Sequence, residues 1–262
     1  MAATPSNTFV APPHSVTIQG AFEPFELQVS RGQIMGHENI KLFGYTTVLG
    51  STAMGPLWEG LTGSGGNYPY PASAVVMTLT SSSASDTAVS ILIEGVGAGF
   101  VLQSETVALN GTSNVTTTKS FLRINRMSTV SGNAVGAITA INSGTTYAKI
   151  TAGVGDTQMS IFTVPANYTF YQTNFTAGSN TSTTSGAYIK KRTYIVDNAN
   201  GGIVNAQAQA VFVQSFELPI TFPIAFPEKT DIQWQLQGSG GAGAAAYTYI
   251  SGVVIKNDCQ VP

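Results

Sequence analysis

The chain has 262 residues, only 9% of them are charged, and the formal net charge is −2 at pH 7. This length suits one large β domain or two smaller ones and is sufficient to bury a hydrophobic core. The charged fraction lies well below the roughly 25% of an average soluble domain, so the surface has little protection against association. The near-neutral charge argues against nucleic acid as a main partner. The composition therefore predicts a protein that works inside an assembly.

The cysteine content and the N-terminus indicate where this assembly forms. Cys259 is the single cysteine, which excludes an internal disulfide. Small exported β proteins often depend on disulfides, so their absence favours assembly in a reducing cytoplasm. The first residues contain neither a basic region nor an apolar core of a signal peptide. No apolar stretch approaches the ~18 residues of a transmembrane helix, so we expect no membrane partner.

Residues 1–64 are predicted to form an N-terminal arm and a docking segment. Three prolines break regular structure within residues 1–20, which predicts an extended arm that is either disordered or laid across a neighbouring subunit. Apolar and polar residues then alternate over Phe25–Ser30, a pattern that predicts a strand. The glycine-rich stretch Leu61–Gly66 is interpreted as a linker or boundary.

The remainder of the chain predicts many short strands. Alternation is clear in Val89–Glu94 and in Ile232–Gln237, and no stretch has the apolar spacing and cap of a confident helix. Turn signals at intervals of roughly 8–12 residues predict a sandwich, and long connections suggest jelly-roll wiring. We therefore predict an all-β fold, an antiparallel jelly-roll-like β-sandwich over residues 65–262, with possible sub-modules 65–150 and 151–262.

Two segments predict β-hairpins. Thr157–Thr176 contains two apolar runs joined at Pro165-Ala166-Asn167, which favours a turn between two strands. Asn110-Gly111 follows an apolar run and is a strong two-residue hairpin signal, because a type I′ turn needs positive φ at both central residues. Beyond it, Thr116–Met127 is interpreted as one strand.

The sequence offers no convincing catalytic or metal-binding set. His14 and His37 have no cysteine or second histidine at metal-ligand spacing. The serines lie outside any Gly-x-Ser-x-Gly elbow. Glu217, Glu228 and Asp231 could supply a glycosidase pair, but the last two are better explained by a strand-entry turn in which Asp231 binds backbone amides. We expect no enzymatic activity, no cofactor and no metal.

Two further motifs have simple structural explanations. Lys190-Lys191-Arg192 could grip an acidic patch on a partner, although a solvated defence of a sheet edge is favoured, with Lys190 and Arg192 on one face. Residues 238–243 lack the Gly-Lys-Ser/Thr ending of a phosphate loop and predict a flexible loop.

The candidates for contact with a partner lie in the N-terminal part of the chain. Trp234 falls on the apolar side of its strand and is assigned to the core, whereas Trp58, between Pro56 and Glu59, is the better interface candidate. The candidate partner or subunit interface comprises Phe22, Phe25, Leu27, Arg31, Phe43, Tyr45 and Trp58.

Four phrases resemble segments of virion structural proteins of tailed bacteriophages, especially aquatic ones. They are FELQVSRGQIMGHENIKLFGY, SETVALNGTSNVTTTKSFLRINR, MSIFTVPANYTFYQTNFTA and FPEKTDIQWQ, and together they span most of the chain. The resemblance implies a β-sandwich protein built into the virus particle. The proline- and glycine-rich segments match no repetitive fibre shaft.

The resemblance and the composition together lead to a functional expectation. We expect a capsid decoration or cement protein on the virion exterior, assembled in the host bacterial cytoplasm. Residues 1–64 would then contain the capsid-docking segment, and the candidate interface residues would contact the capsid or another subunit. The expected partners are the major capsid protein and further copies of this chain, with which it forms a homotrimer. The alternative is a tail, neck or head-fibre component that binds host surface glycans or other virion proteins. A third possibility is an enzyme that trims host polysaccharide.

Overall fold

The computed structural model describes residues 23–60, 66–180, 187–239 and 244–259. The predicted arm, most of the 61–66 linker and most of the 238–243 loop lie outside these residues. Within them the chain forms sixteen strands, one α-helix and two short 3-10 helices. The elements are α1 (Phe25–Ser30), β1 (His37–Thr46), β2 (Gly55–Pro56), β3 (Val75–Ser81), β4 (Ser90–Val96), β5 (Leu102–Ala108), β6 (Val115–Phe121), β7 (Arg123–Ser131), β8 (Ile138–Asn142), β9 (Thr145–Ile150), β10 (Ile161–Thr163), β11 (Tyr168–Ser179), β12 (Ile189–Asp197), β13 (Ile203–Phe212), β14 (Ser215–Phe226), β15 (Thr230–Gly238) and β16 (Ala246–Lys256).

These strands form four antiparallel sheets. Sheet A has the order β1-β16-β11-β14, and sheet B has the order β10-β15-β12-β13 with β2 beside β15. Sheet C has the order β6-β3-β8-β9, and sheet D has the order β5-β4-β7. The prediction of an all-β, antiparallel protein is confirmed. No helix among the described residues has the length and apolar character needed to cross a membrane.

Two apolar cores divide the sheets into pairs. The first core takes its buried side chains from sheets A and B, and the second takes most of its side chains from sheets C and D. Along the chain, the first core uses residues 42–57 and 162–254, and the second uses residues 58–161. We call sheets A and B the main module, and sheets C and D the inserted module. The predicted boundaries near residues 64 and 150 stay predictions, and β1, inside the predicted docking segment, is a strand of sheet A.

The main module has a nested pattern of strand pairing. Leaving aside the two-residue β2, its first strand pairs with its last, β1 with β16. The second pairs with the last but one, β10 with β15, and the third pairs with the sixth, β11 with β14. The two central strands, β12 and β13, pair with each other. The module is therefore one long antiparallel hairpin folded over into two sheets, and the inserted module interrupts it between β1 and β10.

The predicted strand at Phe25–Ser30 is wrong, because these residues form helix α1. The helix begins after Pro24, whose carbonyl accepts hydrogen bonds from the amides of Leu27 at 3.0 Å and Gln28 at 3.1 Å. Proline is well suited to a helix start, and alternation over six residues does not separate a strand from a helix in which Phe25 and Val29 share a face. Val29 is the buried residue of the helix.

The predicted hairpin at Thr157–Thr176 is also wrong, although its turn is correct. Asn167 has a φ of 66°, and the amide of Tyr168 donates to the Pro165 carbonyl at 3.3 Å. The strands on either side, however, belong to different sheets, since β10 pairs in sheet B and β11 pairs in sheet A. Phe162 and Phe170 meet across the core with ring centroids 5.2 Å apart. The segment is a corner that joins the two layers.

A similar error affects Asn110-Gly111. Gly111 has a φ of 57°, and the Ser113 amide donates to the Asn110 carbonyl at 3.0 Å, so the chain does turn there. The turn leads from β5 in sheet D to β6 in sheet C instead of closing a hairpin. The predicted single strand at Thr116–Met127 is divided into β6 and β7 at Leu122. Turn residues set the local backbone direction but leave the choice of partner strand open.

The basic cluster does not defend a sheet edge. Strand β12, which carries it, lies inside sheet B between β15 and β13. The side chain of Lys191 points into the protein, where only 1% of the residue is exposed. Its Nζ lies 4.5 Å from the centre of the Phe175 ring and donates to Thr193 Oγ1 at 3.0 Å. Lys190 remains exposed, as expected for alternate residues of a strand.

The burial of Lys191 predicts a dependence of stability on pH. Desolvation lowers the pKa of this ammonium from 10.5 to about 8. Between pH 8 and pH 10.5 the unfolded chain binds more protons than the folded chain, so this group makes the free energy of unfolding rise with pH. Below pH 8 the ammonium is charged in both states, and the full cost of burying it applies. We expect Lys191→Met to stabilise the protein at pH 7 by up to about 3 kcal/mol. We also expect the variant and the wild-type protein to differ less and less in free energy of unfolding as the pH rises from 8 to 10.5, as measured by denaturant titrations. A constant difference across this range would contradict the prediction.

Candidate functional site: the outer aromatic face of sheet A

One side of sheet A carries a group of aromatic rings that point away from the core. Alternate residues of β1 and β16, such as Leu42 and Ile250, are buried, so their neighbours face outward. The strand register places Phe43 opposite Tyr249 and Tyr45 opposite Tyr247. The outer aromatic face consists of Phe43, Tyr45, Tyr171, Tyr247 and Tyr249.

The most exposed rings of this face are held in a defined arrangement. Phe43 and Tyr247 are each 39% exposed and stack with centroids 6.1 Å apart and an interplanar angle of 19°. The Tyr247 ring lies over Gly178 on the neighbouring strand, where an added Cβ would come within 2.4 Å of a ring carbon. Glycine at this position therefore leaves the space that the ring occupies. An ordered pair of exposed rings offers a rigid apolar surface to a partner.

Helix α1 borders the same face and forms an open groove with it. The groove has a volume of about 430 Å³ and lies between α1 and strands β1, β11 and β16. Phe25 and Leu27, which line it, are 43% and 47% exposed. Arg31 at the end of the helix forms an ion pair with Glu23 at 2.5 Å, and the Phe25 ring meets His37 edge to face at 5.8 Å. The surface of the groove is mostly apolar, and Glu26 and Lys41 are the charged residues that line it.

Five predicted interface residues lie around this side of the molecule. Phe25, Leu27 and Arg31 come from α1 and its end, and Phe43 and Tyr45 come from β1. Phe22 lies outside the described residues. The structure also adds residues that the sequence prediction missed, since β11 and β16 contribute three tyrosines to the outer aromatic face. The alternation of tyrosine with inward residues in the last strand was the available signal.

Trp58 offers no surface to a partner. It is 2% exposed and belongs to the core of the inserted module, where its ring lies 5.3 Å from that of Tyr68. Pro56, two residues earlier, pairs with β15 in sheet B, so the chain is already inside the protein when it reaches Trp58. Trp234 is buried as predicted, and its Nε1 donates to Gln172 Oε1 at 3.1 Å.

A buried ion pair joins the inserted module to the main module. Arg123, at the start of β7, donates from Nε and Nη2 to the two carboxylate oxygens of Asp231, both at 2.9 Å. Thr163 and Asn198 donate to the same carboxylate at 2.6 Å and 2.9 Å. The guanidinium also lies over the Tyr70 ring at 4.3 Å. Asp231 therefore binds side chains from both modules rather than the predicted backbone amides, and its bonds to Arg123 connect the two modules.

A small cleft between the modules is lined by several charged side chains. It has a volume of about 120 Å³ and is lined by Glu38 of β1 and by Glu94 and Arg126 of the inserted module. Burial and the nearby Glu94 carboxylate raise the pKa of Glu38. Arg126 forms two ion pairs, from Nη2 to Asp156 Oδ2 at 2.5 Å and from Nη1 to Glu94 Oε2 at 3.6 Å. Among the described residues, no group of three histidine, cysteine or acidic side chains is placed to hold a metal ion.

Comparisons with known proteins leave the family open. Neither a family model nor a curated protein matches the chain. Among solved structures, the VP2 subviral particle of infectious bursal disease virus aligns at 12% identity with a TM-score of 0.18. The alignment covers 86% of this chain and 73% of that chain. A TM-score this low says nothing about the fold or function of this protein.

Proposed function

We propose that this protein is a structural component of a bacteriophage particle, and that it decorates the capsid as a cement protein. The observation that carries the proposal is the outer aromatic face of sheet A with its bordering groove. Exposed aromatic and aliphatic side chains in one ordered patch are typical of protein interaction sites. The low charge of the whole chain and the resemblance of its four phrases to virion proteins support the same function.

The strand order of the main module supports the finer fold prediction. We interpret the nested pairs of β1 to β16 as a jelly roll, because two four-stranded sheets made by folding one long hairpin define that wiring. Jelly rolls occur in viral capsid and lectin domains. The fold alone assigns no function, so the proposal depends on the exposed face.

A cement protein acts by adding contacts between neighbouring capsid subunits. Each contact is weak, but contacts engaged together have a high effective concentration for one another. Binding to the assembled shell and not to separated subunits then raises the free energy of disassembly. A rigid, weakly charged surface suits this role, because few charges must lose their hydration on docking. The homotrimer and the three-fold position on the shell stay predictions.

Substitutions in the outer aromatic face and its groove test the proposal. We expect Leu27→Asp and, separately, Tyr247→Lys to weaken binding of the purified protein to mature shells by roughly 30-fold or more, the loss typical of an interface hot spot. Binding is measured by co-sedimentation with shells, and the folded state is checked by thermal unfolding. Val135→Lys, at a 63% exposed position of the inserted module, is the matched control. Equal binding by all variants, or no binding by the wild-type protein, would overturn the proposal.

The stacked pair of Phe43 and Tyr247 also favours a second candidate function. Exposed aromatic rings can stack against sugar rings, as a tail, neck or head-fibre component that binds host glycans would require. Copy number separates the two functions. A number per virion comparable to that of the major capsid protein, measured by quantitative mass spectrometry, supports a position on the shell. A few copies per virion together with saturable glycan binding would support the second function.

A further inference from the structure

One side of the main module ends in two long strands, and among the described residues no further strand pairs with their outer edges. β13 is the terminal strand of sheet B, and β14 is the terminal strand of sheet A. The two are consecutive in the chain, and Phe212 stacks on Phe216 at 5.6 Å where one passes into the other. We call β13 and β14, residues 203–226, the bare edge.

The bare edge exposes large apolar side chains. Val204 and Val211 on β13 are 55% and 65% exposed. On β14, Phe222 is 84% exposed and lies in a proline-flanked bulge, where residues 220–223 have no register partner on β11. Glu217 is the only charged residue in the whole segment. Unpaired backbone groups, exposed apolar side chains and almost no charge are the properties that monomeric β proteins avoid at an edge.

The opposite side of the main module is protected. β1 has α1 packed against it and carries Glu38 and Lys41. β10 is only three residues long, and the side-chain amide of Asn125, in the inserted module, forms hydrogen bonds with its backbone as a neighbouring strand would. The Asn125 side chain accepts from the Thr163 amide at 2.8 Å and donates to the Thr163 carbonyl at 2.9 Å. Within the described ranges, one pair of edges of the main module is therefore covered and the other pair is not.

The inserted module also has charged side chains at its edge strands. Glu105 of β5 accepts hydrogen bonds from the amides of Thr118 at 2.7 Å and Lys119 at 2.8 Å on β6. These bonds join the edge strands of sheets C and D. Lack of protection is therefore a property of the bare edge and not of every edge that the structure describes.

We infer that the bare edge is the surface through which two copies of this chain associate. A second copy meets this surface with little like-charge repulsion, because the ten residues of β13 carry no charge and β14 carries only Glu217. The area is sufficient as well. A strand of ten residues is about 33 Å long. Stacked sheets lie about 10 Å apart, and the side chains on their outer sides bring the width of the edge to about 20 Å. The edge therefore offers roughly 600–700 Å², close to the ~800 Å² per partner of a standard interface.

The sequence of β13 is suited to pairing with itself. It places apolar residues at both ends and mainly alanine and amide residues between them. Val204 and Val211 lie on the face of β13 that points away from the first core, because their partners on β12 are Val196 and Lys190. In two antiparallel copies centred between residues 207 and 208, Val204 of one copy faces Val211 of the other. Such an arrangement matches exposed apolar residues with each other, and its two-fold symmetry is the commonest in homo-oligomers. The register shift opposite Lys191 and Thr193 interrupts the strand, so side-chain packing carries the contact rather than an unbroken backbone ladder.

Sedimentation velocity of the full chain over a wide range of concentration tests the inference. The wild-type protein is expected to reach the mass of two chains. Val211→Lys and, separately, Phe222→Lys are expected to raise the dissociation constant at least about tenfold, because each places a charge in an apolar contact. The control is again Val135→Lys, which adds the same charge at a similarly exposed position and should leave the mass unchanged.

This inference goes beyond capsid binding and fails separately from it. A wild-type protein that stays monomeric at every concentration would overturn it, whether or not the protein binds shells. The two-fold arrangement is an alternative to the homotrimer predicted from the sequence, and a mass of three chains would overturn it. A dimer that both lysine variants dissociate, in a protein that does not bind shells, would support the inference and reject the proposed function. Near-ultraviolet circular dichroism confirms that each variant is folded.

Discussion

Arg123→Met is expected to lower the free energy of unfolding by about 3–5 kcal/mol, the usual cost of removing one partner of a buried ion pair. The Arg123 and Asp231 side chains are only 8% and 2% exposed. Without the guanidinium, the carboxylate stays buried with only Thr163 and Asn198 as neutral donors. Denaturant titration at neutral pH, followed by circular dichroism, measures the loss.

Arg126→Met is the matched control for this prediction. Arg126 makes a similar ion pair with Asp156, but its side chain is 49% exposed. An exposed pair contributes about 0–1 kcal/mol, so this variant should differ little from wild type. The double variant Arg123→Met/Asp231→Leu should recover much of the lost stability, because it leaves no buried charge at the site of the ion pair. Equal effects of Arg123→Met and Arg126→Met would show that the buried pair does not hold the modules together.

Trp234→Ala is expected to cost about 3–5 kcal/mol, as is usual when a large buried aromatic side chain is removed. Trp234 is fully buried in the first core, with its ring edge to face against Phe170 at 6.3 Å. The substitution leaves a cavity and also removes the donor to Gln172, a residue that is 2% exposed. Thermal and denaturant unfolding both measure this effect.

A second pair of variants separates the cavity from the lost hydrogen bond. Trp234→Phe keeps a ring in the core but leaves the Gln172 amide without its donor, which should cost about 1–3 kcal/mol for the unsatisfied group alone. Adding Gln172→Leu removes that polar group and should recover part of the loss. If the double variant is no more stable than Trp234→Phe, the hydrogen bond contributes nothing measurable and the prediction is wrong in that part.

Several elements could be predicted because their signals are local. The alternation in Val89–Glu94 and Ile232–Gln237 identified β4 and β15 correctly. The turns at Pro165–Asn167 and Asn110-Gly111 were also located correctly. Side-chain alternation and positive φ depend on a few adjacent residues, so a single sequence contains them.

Pairing could not be predicted in the same way. Both predicted hairpins are wrong because the strand after each turn pairs in a different sheet from the strand before it, and partner strands far away in the chain leave no local signal. The glutamines of β15 show the same limit. Gln233 and Gln235 alternate with apolar residues as in a half-exposed strand, yet both are about as buried as Trp234. Gln233 accepts from the Tyr68 amide and Gln235 donates to Asn67 at the joint between the modules, which alternation cannot reveal.

The amino-acid sequence by itself determined that the protein is built from antiparallel strands, where the chain turns, and that its surface is poor in charge. These properties follow from backbone sterics, side-chain periodicity and composition, which act over neighbouring residues. Only the tertiary structure decided that Trp58 is buried while Phe43 is exposed, that Lys191 enters the core, and that β13 and β14 are terminal strands in the part of the chain that the structure describes. Burial is the sum of contacts between residues far apart in the chain, so it is set only when the sheets pack together.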